Sequence, residues 1–142
     1  MTTTLELTTT DGPMGLHVAR PVDPPRAGVV VVQEAFGLSP HIASIADRLA
    51  AAGYLAVAPH LFHRTGDPVI PYGDLSVVMP HIQALRSETL DGDVDAALDF
   101  LRGEGLADAG IAIVGFCMGG TVALATAARV PLGAAATFYG SG

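Results

Sequence analysis

Apolar and polar positions alternate at the start of the chain. In "TLELTTTDGPMGLHVAR", Leu5 and Leu7 alternate with polar residues and Leu16 and Val18 repeat the spacing, while Asp11, Gly12 and Pro13 supply turn chemistry between them. The stretch predicts two short strands. After the loop "PVDPPRAG", the run "GVVVVQ" is continuous and β-branched, the kind buried on both faces of a parallel sheet. The period then changes. Ile42, Ile45, Ala46 and Leu49 fall at i, i+3, i+4 and i+7, which predicts a helix capped by Ser39, opened by Pro40 and ended at Gly53. "YLAVAP", from Tyr54 to Pro59, is another buried strand. A second helix is expected over 87–102, with Leu90, Val94, Ala97, Leu98 and Leu101 as its inner stripe. "GIAIVG" is a third buried strand, a third helix follows over 118–129, and "GAAATFYG" is a last strand. The stretch "HLFHRTGDPVIPYGDLSVVMP" reads as irregular and proline-rich, a candidate active-site loop region. Strands alternating with amphipathic helices predict an α/β sandwich with a mostly parallel sheet.

Composition narrows the classes. The 142 residues suffice for one domain with a core, and no repeat, linker or low-complexity block divides residues 1–142. With 50% hydrophobic and 15% charged residues the chain does not read as disordered. A net charge of −7, with seven scattered basic residues, argues against a nucleic-acid partner. No apolar run approaches the ~20 residues of a membrane span. "MTTTLELTTTDG" lacks the basic and apolar segments of a secretory signal. The single cysteine cannot form an internal disulfide, which fits a reducing cytoplasm.

That cysteine, Cys117, stands in "VGFCMGG" between a strand and a helix. A lone cysteine in apolar sequence is usually a small buried hydrophobe. The strand–turn–helix setting changes that reading, because G-x-C-x-G is the G-x-S-x-G nucleophile elbow with sulfur in place of oxygen. Gly115 and Gly119 leave room in a sharp, strained turn. The helix N-terminus beyond offers free N–H groups and partial positive charge, which favour a thiolate and a developing oxyanion. Glu34 follows a buried strand at the carboxyl edge, where α/β sheets place ligands. It reads equally as a solvated loop residue or as a partly desolvated proton partner for the thiol.

The segments "VVVVQEAFGL", "GYLAVAPHLFHR", "DGDVDAALDFLR", "VGFCMGG" and "ATFYGSG" resemble, in order and spacing, the dienelactone hydrolase family of the α/β-hydrolase superfamily. The resemblance runs along nearly the whole chain, and "QEAFG" combined with "GFCMGG" is its specific part. It implies an α/β-hydrolase sandwich and hydrolysis of a carboxylic ester or lactone. It implies Cys117 as nucleophile, Glu34 as the glutamate beside the resting thiol, and the backbone N–H groups of Met118 and Ala35 as the oxyanion hole. No cofactor and no metal are implied.

Some expectations run against a complete site. After Cys117 the sequence holds no Asp, Glu or His, although the triad acid and histidine follow the nucleophile in this fold. The chain matches the first three-fifths of such a domain, so it is expected to be incomplete at its C-terminus after the sixth strand, with a later segment or a partner chain completing the site. Of the upstream histidines, His17 is expected on a surface strand and His41 in an exposed first helical turn. His60 and His63 are placed nearest the site, where their HxxH spacing alone does not make a metal centre. Surface or packing roles are expected for all five, His81 included. The dienelactone hydrolases proper hold a substrate carboxylate with arginines, and Arg64 and Arg86 are the arginines between the two relevant strands. A hydrolase-like binding module without a triad is the alternative function, and a redox thiol ranks behind it.

Overall fold

In a computed structural model describing residues 1–141, six strands form one sheet in the order β1-β2-β4-β3-β5-β6. The strands are β1 (Thr2–Thr9), β2 (Gly12–Ala19), β3 (Gly28–Val32), β4 (Leu55–Pro59), β5 (Ile111–Phe116) and β6 (Ala134–Phe138). The expected hairpin is β1 and β2, paired antiparallel from Thr2–Ala19 to Thr9–Gly12. β2 also runs antiparallel to β4, whereas β4, β3, β5 and β6 are mutually parallel. All four parallel strands therefore end at the same edge, where the turns after β3, β4, β5 and β6 come together.

Four α-helices connect them: α1 (Pro40–Ala51), α2 (Leu75–Gln83), α3 (Ser87–Gly103) and α4 (Met118–Arg129). α1 begins as expected, with the Ser39 hydroxyl accepting the Ile42 N–H and Pro40 in the first turn. The pleat of β3 sorts the core. Val30 and Val32 pack with Leu98, Leu101 and Val122 on the face covered by α3 and α4. Val29 and Val31 pack with Ile42, Ala46 and Ala50 of α1 on the other. All five residues of β3 and of β4 are buried, as continuous apolar runs in a parallel sheet require. β6 is exposed along its length. On the α1 side, β5 and β6 border an open apolar hollow of about 910 Å³ that includes Leu49, Tyr54, Val114, Phe116 and Phe138.

Two expectations are corrected. The stretch taken as irregular contains α2. Asp74 caps it through a 2.9 Å bond from the Ser76 N–H, and Val78 is buried against Ala35, Phe62 and Ile70. Cap and burial together outweigh the hydrogen bond that Pro80 removes. His17 is not on a surface strand. β2 lies inside the sheet, so His17 is buried beneath α1 with Nε2 3.3 Å from Asp47.

α3 carries a charge that its apolar stripe does not announce. Asp93 is fully buried and accepts two bonds from Arg64, at 2.6 and 3.0 Å, while both its oxygens lie 3.2 Å from His63 Nε2. Arg64 also donates to Asp11 in the β1–β2 turn at 2.6 Å. The cluster ties the hairpin and the loop after β4 to α3. The Arg64 guanidinium is held above its ordinary pKa, mainly by the Asp93 hydrogen bonds. Asp93→Ala is expected to cost about 3–5 kcal/mol, because it leaves a largely buried guanidinium and a buried imidazole without their shared acceptor. Denaturant unfolding measures this, and a change below about 1 kcal/mol would show that water replaces the carboxylate.

Candidate active site

At the end of β5 the chain turns sharply into α4. Cys117 sits at the turn with φ 54° and ψ −123°, a conformation that costs a non-glycine residue roughly 1–3 kcal/mol. Backbone bonds hold it, among them two short ones. The Cys117 N–H donates to the Phe138 carbonyl at 2.9 Å, and the Cys117 carbonyl accepts from Gly120 at 2.8 Å. The flanking glycines are required by contact with neighbouring backbone. A Cβ on Gly115 would lie 1.8 Å from the Gly119 carbonyl oxygen, and one on Gly119 would lie 2.4 Å from the Gln33 carbonyl oxygen. The second contact also packs the first turn of α4 against the end of β3, next to Glu34.

Glu34 is buried, so the solvated-loop reading does not hold. Both of its carboxylate oxygens are engaged. The Tyr72 hydroxyl donates to Oε2 at 2.5 Å and the Tyr139 hydroxyl to Oε1 at 2.8 Å. Tyr139 has a positive φ of 42°, so its backbone accepts strain in this orientation. Its hydroxyl pKa is pushed up to about 12, first by the bond to Glu34, then by burial and by the charges of Glu34, Cys117 and Tyr72. Tyr72 is raised too, chiefly by its bond to Glu34. Both phenols therefore stay protonated donors at any neutral pH. Gln33, fully buried, braces the turn. Its Nε2 donates to the Glu34 carbonyl at 3.4 Å and its Oε1 accepts the Leu61 N–H at 3.1 Å.

Ala35 and Met118 meet in one apolar cluster with Phe36, Phe62, Ile70 and Val78. Met118 opens α4, so its N–H has no acceptor within the helix. Neither Met118 nor Ala35 donates a loop or turn hydrogen bond among the described residues. The structure thus brings Cys117, Glu34, Ala35 and Met118 to one corner of the sheet edge. The apolar hollow beside β5 and β6 is not there, and none of these four residues lines it.

The histidines are occupied elsewhere. His60 Nδ1 lies 2.5 Å from Asp67, and its buried Nε2 has no partner among the described residues. His63 goes to Asp93, so the HxxH pair faces two different carboxylates. His81 Nδ1 lies 2.8 Å from the Thr65 hydroxyl, and His41 is exposed at the start of α1. Arg86 is exposed at the N-cap of α3. Tyr72 and Tyr139 escaped the sequence reading. The position of Tyr139, just past the last strand at the edge that carries Cys117, was the available signal, whereas Tyr72 in an irregular loop offered none.

The sheet order and its parallel core are those of an α/β hydrolase. Within that class the chain belongs to the dienelactone hydrolase family, whose sequence profile matches residues 14–142. Proteins of Methylorubrum extorquens and Escherichia coli, both named "Putative carboxymethylenebutenolidase", are 36% and 39% identical to it over 133 and 134 residues. These alignments cover 92% and 89% of this chain but 46% and 48% of those proteins. The chain thus spans about half the length of the curated relatives it matches. The "Putative Dienelactone Hydrolase" of Klebsiella pneumoniae, a crystal structure 33% identical, superposes with a TM-score of 0.88 over 99% of this chain and 60% of that one. Among the described residues, no helix is long and apolar enough to cross a membrane.

Proposed function

We propose that residues 1–142 are the nucleophile-bearing part of a thiol hydrolase of carboxylic esters or lactones, with Cys117 at a nucleophile elbow. The observation that carries this reading is the strained Cys117 backbone, held between two glycines that no other residue can replace. Strain of this kind persists where it aims a group. In the reaction the thiol gives up its proton and the sulfur attacks the carbonyl carbon. The carbonyl electron pair moves to oxygen, where the N–H groups of Met118 and Ala35 stabilise it. Collapse of the intermediate expels the alcohol oxygen, which takes a proton, and leaves a thioester. Water then attacks the thioester, releasing the acid and returning the proton to sulfur.

Glu34 acts as the proton partner of the resting thiol. Each carboxylate oxygen accepts one tyrosine bond and keeps a further lone pair for the thiol. The base that relays protons through the cycle belongs to polypeptide outside residues 1–142, either a later segment or a partner chain. No residue after Cys117 carries a carboxylate or imidazole. The same observation favours a second reading, a binding module that holds carbonyl compounds without turning them over. A free thiol suits the reducing cytoplasm. No cofactor is invoked.

The test is acyl trapping. The protein is mixed with 4-nitrophenyl acetate, quenched in acid and digested. One acetyl group on the peptide carrying Cys117, with a burst of nitrophenol, is the expected result. Acetylation spread over other residues, with Cys117 unmodified, would remove the nucleophile assignment.

A further inference from the structure

Two parallel strands end side by side at the corner that holds the thiol. β5 and β6 are paired so that Phe116 stands opposite Phe138, and Cys117 and Tyr139 are the next residues of each. Both take left-handed backbone, with φ 54° and 42°. Apart from glycine, only Asp67 shares that conformation among the described residues. Resting on the reading of Cys117 as the nucleophile, we infer that the turn after β6 is a second aiming turn, mated to the first, and that Tyr139 is the positioning residue that fixes Glu34 relative to the thiol.

The two turns are fastened together at several points. The Cys117 N–H donates to the Phe138 carbonyl at 2.9 Å. One turn into α4, the Thr121 hydroxyl donates to the Ser141 carbonyl at 2.5 Å and accepts the Ser141 N–H at 3.1 Å. Between these bonds the backbones touch, since a Cβ on Gly140 would lie 2.8 Å from both the Gly120 carbonyl carbon and the Thr121 nitrogen. Below them the Phe116 and Phe138 rings stack, with centroids 5.0 Å apart. Residues 138–141 therefore move with the elbow.

Left-handed backbone is unfavourable for a tyrosine and persists where the surroundings over-determine it. Here it sets the Tyr139 ring 6.4 Å from Phe116 and brings the hydroxyl to Glu34 Oε1 at 2.8 Å. The charges of Glu34 and Cys117 both raise the pKa of this hydroxyl, so the phenol lies within reach of both groups. Tyr72 holds the other carboxylate oxygen from the segment before α2, with its ring 4.6 Å from Phe36. Glu34 thus has one donor built onto the elbow and one brought from a separate segment. The first keeps the carboxylate in one orientation toward the thiol. Without it, Glu34 pivots on its bond to Tyr72, and a misplacement of about 1 Å at a reacting group costs up to about a hundredfold in rate.

The experiment resolves the two half-reactions in the protein expressed in full. Acylation is read as the nitrophenol burst from 4-nitrophenyl acetate, and hydrolysis as the loss of acetyl from Cys117, followed by mass. Tyr139→Phe removes one oxygen and keeps the ring and the backbone. It is expected to slow the burst about tenfold or more. Hydrolysis of the acyl-protein should be unchanged, because the acylated sulfur carries no proton for Glu34 to share. Tyr72→Phe should slow the burst less. In a Glu34→Gln background Tyr139→Phe should add nothing, since a positioning residue acts only through the group it positions. A tyrosine needed only for folding would instead slow the burst in both backgrounds and lower the unfolding midpoint. That result, an unchanged burst in Tyr139→Phe, or a larger loss in Tyr72→Phe would overturn the inference and leave Cys117 as the nucleophile. Absence of acetyl on Cys117 in the parent would overturn the nucleophile reading, and the inference with it.

Discussion

Cys117→Ala is expected to abolish ester turnover, by about 10³- to 10⁴-fold or more, and to leave the fold as stable as before. The size follows from what the side chain does. On the proposed reading, removing the covalent nucleophile leaves the proposed oxyanion donors and the binding surface, which retain a small residual rate over water. Stability should hold because alanine tolerates the backbone at φ 54° no worse than cysteine does, and the bonds that fix the turn use the main chain of residue 117. Cys117→Ser separates nucleophilicity from geometry. Its hydroxyl fits the same turn, but a serine must lose a far less acidic proton, so turnover should fall well below the parent and stay above Cys117→Ala. The measurements are initial rates on 4-nitrophenyl esters beside thermal unfolding of all three proteins. Turnover in Cys117→Ala equal to the parent would assign the chemistry to another residue. A large loss of stability would mean that the thiol is a packing element.

Parts of this arrangement are legible in the residues alone, for identifiable reasons. The runs in β3 and β4 are continuous because both faces of a parallel sheet are covered, and that pattern survives in sequence. The junction at Cys117 is legible because backbone crowding admits only glycine at Gly115 and Gly119. What escaped depends on partners distant in sequence. α2 forms around a proline because Val78 finds Phe62 and Ile70. The burial of His17 depends on α1 crossing β2. Asp93 looks like one more solvent-facing acid of α3 until Arg64 and His63 arrive from the loop after β4. The hold on Glu34 joins residues 38 and 105 positions apart, a separation that no local period encodes. Glu34 itself was legible as a position at the sheet edge, but its two donors were not.

The glycines of the turn offer a second large effect, and one with an internal control. Gly115→Ala is expected to destabilise the protein by more than about 4 kcal/mol, at the exceptional end for one substitution. The added Cβ would lie 1.8 Å from the Gly119 carbonyl oxygen, 2.3 Å from its carbon and 2.8 Å from the Gly120 nitrogen. All three are backbone atoms of the first turn of α4, so no rotamer change relieves the clash. The strand end or the helix start must move. A domain of this size has about 5–15 kcal/mol in total, so much of the population unfolds. Any molecule that does fold has shifted the turn that aims Cys117, and an error of about 1 Å there costs about a hundredfold in rate. Gly92→Ala is the control. It lies within α3, and its Cβ would meet nothing within 4 Å, so it should stabilise the helix by about 0.5–1 kcal/mol. The same methyl group, added twice, should thus move the denaturation midpoint in opposite directions. If Gly115→Ala unfolds at the midpoint of the parent, the backbone approach that holds Cys117 in its strained conformation does not exist. The case for that residue as an aimed nucleophile would then lose its physical basis.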